Sequence, residues 1–228
     1  LEHLRTAGIE ASGVREIPGV DTGAAMILVD DLGENLIIVD PGANSRLEPQ
    51  SVEGSIRAHE PTVLLAQLEV PIAALEAAVA AVDARTIVVL NPAPMPADPT
   101  LLAGVLRRVD VLVPNRRELG QFAGCEEPRN LQEVTRCLTS LPFHGTVVVT
   151  LGADGAVVAE PGRSLVHVQA KVVEPVDTSG AGDAFCGALV VGLAAGADLA
   201  DAVRRAVDVA SESTLVRGAQ LAVSPTVP

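Results

Sequence analysis

Apolar positions in this chain fall into short unbroken runs, separated by longer stretches where they recur every three or four residues. The unbroken runs read as buried strands: Val63 to Leu68, Thr86 to Leu90, Val111 to Val113, and the Val-rich Thr146 to Leu151. The wider spacing predicts helices over Ile72 to Val82, Leu101 to Val109, Arg116 to Phe122 and Leu131 to Leu141. Two further helices, Ala184 to Ala195 and Leu199 to Ser211, follow near the end, and a short one, Leu1 to Ala7, precedes Gly8. Two pairs of short runs read as hairpins: Gly23 to Val29 with Leu36 to Val39 across the polar loop Asp30 to Asn35, and Ala156 to Ala159 with Leu165 to Val168. The helical opening at Leu1, without an initiator Met, reads as a fragment, a processed chain or an incomplete chain.

Continuous apolar strands that alternate with helices predict an α/β fold. The expectation is a three-layer, doubly wound, mainly parallel sheet with helices on both faces, plus a small hairpin at 23–40. Residues 1–228 are long enough for one domain with its own core. Ligands of such sheets sit beyond the carboxyl ends of the strands. Gln67-Leu-Glu69, Asn91-Pro-Ala-Pro94, Pro114-Asn-Arg-Arg-Glu118 and Thr150-Leu-Gly152 end the four core strands. The polar and turn residues therefore gather on one edge.

Composition removes several alternatives. The chain has three Phe and no Tyr or Trp, which excludes an aromatic platform for stacking nucleic-acid bases. A net charge of −13 opposes binding to a nucleic-acid duplex or an anionic membrane. Any nucleotide must be held by local dipoles and a cation, with its base among aliphatic side chains. No apolar run is long enough to span a bilayer. Cys125, Cys137 and Cys186 show no metal or redox spacing and read as reduced thiols of a cytoplasmic protein. The four histidines are scattered, without the neighbours a metal site needs.

The candidate chemistry lies in the string from Pro175 to Ala188, where Gly180-Ala181-Gly182 and Asp183 lead into an apolar helix. A helix start offers unpaired amides and a partial positive charge, and glycines let a phosphate approach them. A carboxylate at that junction suits a base that takes a proton from an acceptor hydroxyl. The alternative is an ordinary Asp N-cap after a tight turn. There is no Gly-Lys-Ser/Thr of a P-loop, and Phe185 stands where a dinucleotide fingerprint needs its third glycine.

Asp-Thr-x-Gly-Ala-Gly-Asp at 177–183 resembles the signature of the ribokinase family of carbohydrate kinases. The ordered set Asp-Pro-Gly-Ala-Asn, Gln-Leu-Glu, Asn-Pro-Ala-Pro, Pro-Asn-x-x-Glu, Val-Thr-Leu-Gly-x-x-Gly and Arg-Gly-Ala-Gln extends that resemblance along essentially the whole chain. The resemblance implies transfer of the γ-phosphoryl group of ATP to the 5-hydroxyl of ribose; the alternatives are a kinase of another small carbohydrate or nucleoside, or a non-catalytic nucleotide-binding or regulatory fragment. Asp183 would be the base, with the amides of Gly180, Ala181 and Gly182 around the transferring group. Glu69 would accept sugar hydroxyls. Asn115 and Glu118 would position the phosphates and, through water, Mg²⁺; their spacing also fits a plain capping box. Thr150, Leu151, Gly152, Ala153, Asp154 and Gly155 would bind nucleotide, although a tight hairpin turn alone explains Gly155.

By the same resemblance Asp177 and Ser179 would bind K⁺, together with carbonyls of Ser213, Val216 and Gly218. A homodimer would form through the hairpin, which acts as a lid. Three departures stand out. The family's first strand, the Gly-Gly loop that grips the sugar and part of the lid are missing. Val207 stands where a polar residue near the adenine is common. Ala222 replaces a Ser near the cation.

Overall fold

The computed structural model describes residues 1–29 and 35–219. A short helix α1 (Glu2–Thr6) leads to a two-stranded antiparallel hairpin, β1 (Ala24–Val29) and β2 (Asn35–Asp40). Residues 30–34 of the expected loop lie outside the described residues, as do Ala222 and the Gln of the Arg-Gly-Ala-Gln string. Then follow α2 (Pro49–His59), β3 (Val63–Ala66), α3 (Ile72–Ala81), β4 (Ile87–Leu90), α4 (Ala103–Leu106) and β5 (Val111–Leu112). The rest of the chain forms α5 (Arg116–Ala123), α6 (Leu131–Ser140), β6 (Thr146–Thr150), β7 (Ala156–Ala159), β8 (Val166–Val168), α7 (Ala181–Ala194) and α8 (Leu199–Ser213).

The sheet runs β3-β4-β5-β6-β7-β8. Its first four strands are parallel, and β7 and β8 add antiparallel ladders, so the sheet is mixed. The reason is local. Only residues 151–155 separate β6 from β7, too few for a parallel crossover.

Strand side chains alternate between two buried layers. Val88, Leu90, Val147 and Val149 face α3 to α6, where Leu75, Val105, Leu119 and Val134 pack. Val89, Val111 and Val148 face Phe185 and Leu189 of α7 and Val203 and Val207 of α8. This is the three-layer arrangement expected from the sequence. Cys137 and Cys186 are buried in the two layers, and burial first of all pushes their thiol pKa values up to about 11 and about 12.

Several elements differ from expectation. Helix α2 was not anticipated, because Gly54 and the sparse apolar pair Val52 and Ile56 hide its period. The helix expected over Leu101 to Val109 is shortened. A 3₁₀ turn, Pro99–Leu102, capped by Asp98, comes first, and α4 spans one turn. Helix α7 starts at Ala181 rather than Ala184. Among the described residues no helix is long and apolar enough to cross a membrane.

Candidate active site

Starting α7 three residues early changes what Asp183 is. Gly180, with φ of 73°, is the N-cap, so Ala181, Gly182 and Asp183 form the first helical turn. A Cβ on Gly180 would stand 2.8 Å from the carbonyl oxygen of Ala219, so only glycine fits. Asp183 therefore is not the N-cap, and its exposed side chain makes no hydrogen bond among the described residues. Of the three amides expected to face an anion, that of Ala181 donates to Thr178 O at 3.2 Å. Those of Gly182 and Asp183 have no partner among the described residues. The Gly180 amide likewise has no partner among the described residues, so of the three only Ala181 drops out, and Asp183 adds a free donor beside its own carboxylate. A Cβ on Gly182 would meet nothing within 4 Å, so the space before these amides is open.

The loop before α7 is tied to the chain beyond α8. Asp177 Oδ1 accepts from Ser179 N and Oδ2 from Gly218 N, each at 2.9 Å. Thr214 O accepts from Val176 N at 2.7 Å and Asp177 N at 3.1 Å. The bond from Gly218 N, then those from Ser179, hold the Asp177 carboxyl down at about 2. Ser213 is buried, whereas Val216 and Gly218 are exposed. A carboxylate, a serine and carbonyl-bearing chain are therefore adjacent, an all-oxygen set that suits a hard monovalent cation.

Where β5 and β6 end, an Asn115–Thr150 bridge prolongs the pairing, and Asn91 Nδ2 donates to Val113 O at 2.8 Å. Asn115 caps α5 by accepting from Glu118 N at 2.8 Å, while Glu118 accepts from Asn115 N at 2.9 Å and Asn115 Nδ2 at 2.8 Å. The capping box is thus fully formed. Glu118 is buried, and desolvation raises its pKa against the lowering bonds from Asn115. A buried carboxylate whose charge is disfavoured is one that a nearby hydrated cation would stabilise.

After β6, Gly152–Asp154 make one 3₁₀ turn, closed by Leu151 N donating to Gly155 O at 2.8 Å. Gly155 has φ of 87°, and a Cβ there would lie 2.0 Å from Val168 O. Asp154 turns away. It pairs with Arg116 at 2.5 Å, and its carbonyl oxygen lies 2.7 Å from His167 Nε2.

A cavity of about 650 Å³ brings much of this together. Asn115, Thr150, Gly152, Ala181 and Gly182 line its polar end, with Leu151, Ala153 and Gly155 alongside. Val172, Val173, Phe185, Val207 and Ala210 line the apolar part. Asp154, Glu118 and Asp183 are not among its lining residues. Sequence reasoning missed Arg116, Arg117 and Lys171, which also line it. Segment 171–173 carries no motif, but two arginines at a helix start were a readable signal. Glu69 is exposed in a second cavity of about 500 Å³, under the hairpin residues Ala25 and Val39, with Asn44 and Pro94. The two cavities share no lining residue.

The model of the pfkB family carbohydrate kinases matches residues 1–227. The chain is 34% identical to the ribokinase of Staphylococcus aureus (strain COL) over 231 residues, 98% of this chain and 73% of that protein. It is 30% identical to the deoxyribokinase of Salmonella typhi over 224 residues, 96% of this chain and 72% of that one. Among solved structures, the ribokinase from Cryptococcus neoformans var. grubii in complex with ADP superposes with a TM-score of 0.84. Its identity is 28%, and the match covers 96% of this chain and 73% of that one. Fold and relatives together define a phosphotransferase with a hydroxyl acceptor. The chain belongs to the pfkB family of carbohydrate kinases, and it is a sugar kinase of the ribokinase-like kind.

Proposed function

We propose that this chain transfers the γ-phosphoryl group of ATP to the 5-hydroxyl of D-ribose, giving ribose 5-phosphate and ADP. The observation that carries the reading is the exposed Asp183 carboxylate in the first turn of α7, beside the free amides of Gly182 and Asp183. The carboxylate takes the hydroxyl proton as the oxygen attacks the phosphorus. The amides, at the positive end of a 14-residue helix, stabilise charge on the transferring group. The cavity beside Gly182 receives the nucleotide, its base against Val172, Val173 and Val207 and its phosphates toward Asn115 and Thr150. Glu69 accepts sugar hydroxyls in the smaller cavity. Closure of the hairpin over that cavity would bring the acceptor to Asp183.

Glu118, through water, would hold Mg²⁺. Asp177 and Ser179, with carbonyls of Ser213, Val216 and Gly218, would hold K⁺. These ions supply neutralising charge for the phosphates and for the loop before α7. The cysteines are all free, which suits a cytoplasmic enzyme. The hairpin would pair with its copy in a homodimer.

The test is Asp183→Asn in the protein. Turnover should fall by about 10³-fold or more, with ATP binding within about threefold; retained turnover would remove Asp183 as the base. The acceptor is tested in a coupled ADP-release assay over ribose, 2-deoxyribose, fructose and nucleosides. The deoxyribokinase relative makes 2-deoxyribose the strongest competitor. If another acceptor works and ribose does not, the reaction class stands and ribose is wrong.

A further inference from the structure

Arg116 and Arg117 are the first two residues of α5, the end of a helix where the backbone already carries positive partial charge and cations are disfavoured. Such a break with local preference calls for a compensating partner. Arg116 has one. Its guanidinium donates to Asp154 Oδ2 at 2.5 Å and to Pro128 O at 3.2 Å. Lys171, the other cation on the larger cavity, pairs with Asp208 at 2.9 Å. Arg117 is exposed on the same cavity and, among the described residues, has no ion pair and no side-chain hydrogen bond. Glu127 also lines this cavity and forms no ion pair with it.

Position narrows what the partner is. Arg117 stands two residues after Asn115, which is bridged to Thr150, and it lines the same cavity as Ala181 and Gly182. Val172, Val173 and Val207 also line the cavity and suit an apolar ring, while Lys171 beside them is already paired with Asp208. A ligand that is apolar at one end and multiply anionic at the other would place its charge against Arg117. The protein's net charge of −13 makes a local cation the more necessary there.

We infer that Arg117 is a phosphate-binding residue that grips the terminal phosphate of the nucleotide and so separates triphosphate from diphosphate. This rests on the reading of the larger cavity as the nucleotide site. A guanidinium presents a planar fork to phosphate oxygens and stays charged at any working pH. As the phosphoryl group leaves for the acceptor, the contact follows it, so substrate is held more tightly than the product ADP.

The experiment compares Arg117→Ala and Arg117→Lys with the parent protein. Dissociation constants are measured for a non-hydrolysable ATP analogue and for ADP, both with Mg²⁺, alongside turnover and melting temperature. For Arg117→Ala the expected result is analogue binding weakened tenfold or more, ADP binding changed less than threefold, and kcat/KM lowered about 10²-fold. The melting temperature should stay the same, and Arg117→Lys should recover part of the loss. Equal losses for analogue and ADP, or no loss for either, would overturn the assignment. If the parent protein binds neither nucleotide, the reading of the cavity itself fails and this inference falls with it.

Discussion

Asp177 is the residue whose geometry has the most direct energetic consequence. Both carboxylate oxygens accept backbone amides, from Ser179 and Gly218, and each bond favours the ionised form. Its pKa is about 2 in the folded protein against 3.8 for the free side chain. A depressed carboxyl pKa contributes stability that is complete above the unfolded value and lost as pH falls through the folded one. Asp177→Ala should therefore melt lower than the parent at pH 7. That gap should narrow as pH drops below about 4 and vanish only below pH 2, once the folded carboxyl is protonated. Thermal unfolding of both proteins from pH 7 downward reads it. A gap that stays constant over this range would mean that the charge on Asp177 contributes nothing. The same bonds set the position of the 214–218 segment beside the loop before α7, so the variant should also loosen any K⁺ site there.

At the scale of elements, Glu118 separates a helix cap from a role in chemistry. Glutamine keeps only one of the two acceptor contacts to Asn115 and sets its own NH₂ group against the other donor, so Glu118→Gln should lower stability by about 1 to 2 kcal/mol. If Glu118 holds hydrated Mg²⁺, the Mg²⁺ concentration for half-maximal rate should rise more than tenfold. An unchanged Mg²⁺ requirement would leave it as a cap alone. This ambiguity was visible in the sequence, since Asn-x-x-Glu serves both purposes, and the structure shows that the cap is made. Legibility was uneven in a consistent way. Strands with unbroken Val and Leu runs were read nearly to their ends, because both faces of the sheet are buried. Helix α2 was missed, because a mid-helix glycine and a largely exposed surface leave little period to read. The start of α7 was placed late, because Gly-Ala-Gly reads as a turn while only Gly180 has a turn conformation. At the site, strand-end motifs were legible, but the cavity wall from Lys171 to Val173 carries no local pattern.

For the whole molecule, the hairpin poses the question of what covers it. An isolated pair of strands is marginal in water unless one face is packed. Ala25 and Val39, directly paired, line the Glu69 cavity. On the other face Met26 and Ile38, also directly paired, are 62% and 53% exposed, and Leu28 is 49% exposed. If two copies join these faces, six side chains leave water. At roughly 1 to 1.5 kcal/mol for each half-exposed chain, the gain is about 6 to 9 kcal/mol before the cost of association. An association cost of about 4 kcal/mol or more leaves at most about 5 kcal/mol, a dissociation constant of about 0.2 mM or weaker, so dilute assays would see monomer. Sedimentation velocity from about 10 µM to 1 mM should show the parent protein shifting toward twice the monomer mass. The double change Met26→Glu with Ile38→Lys keeps a cross-strand attraction that holds the hairpin together while removing the apolar surface. It should sediment as monomer throughout, with the melting temperature measured at low concentration little changed. A parent protein that stays monomeric at 1 mM would rule out pairing through this face. It would leave closure over the Glu69 cavity as the one task its geometry supports.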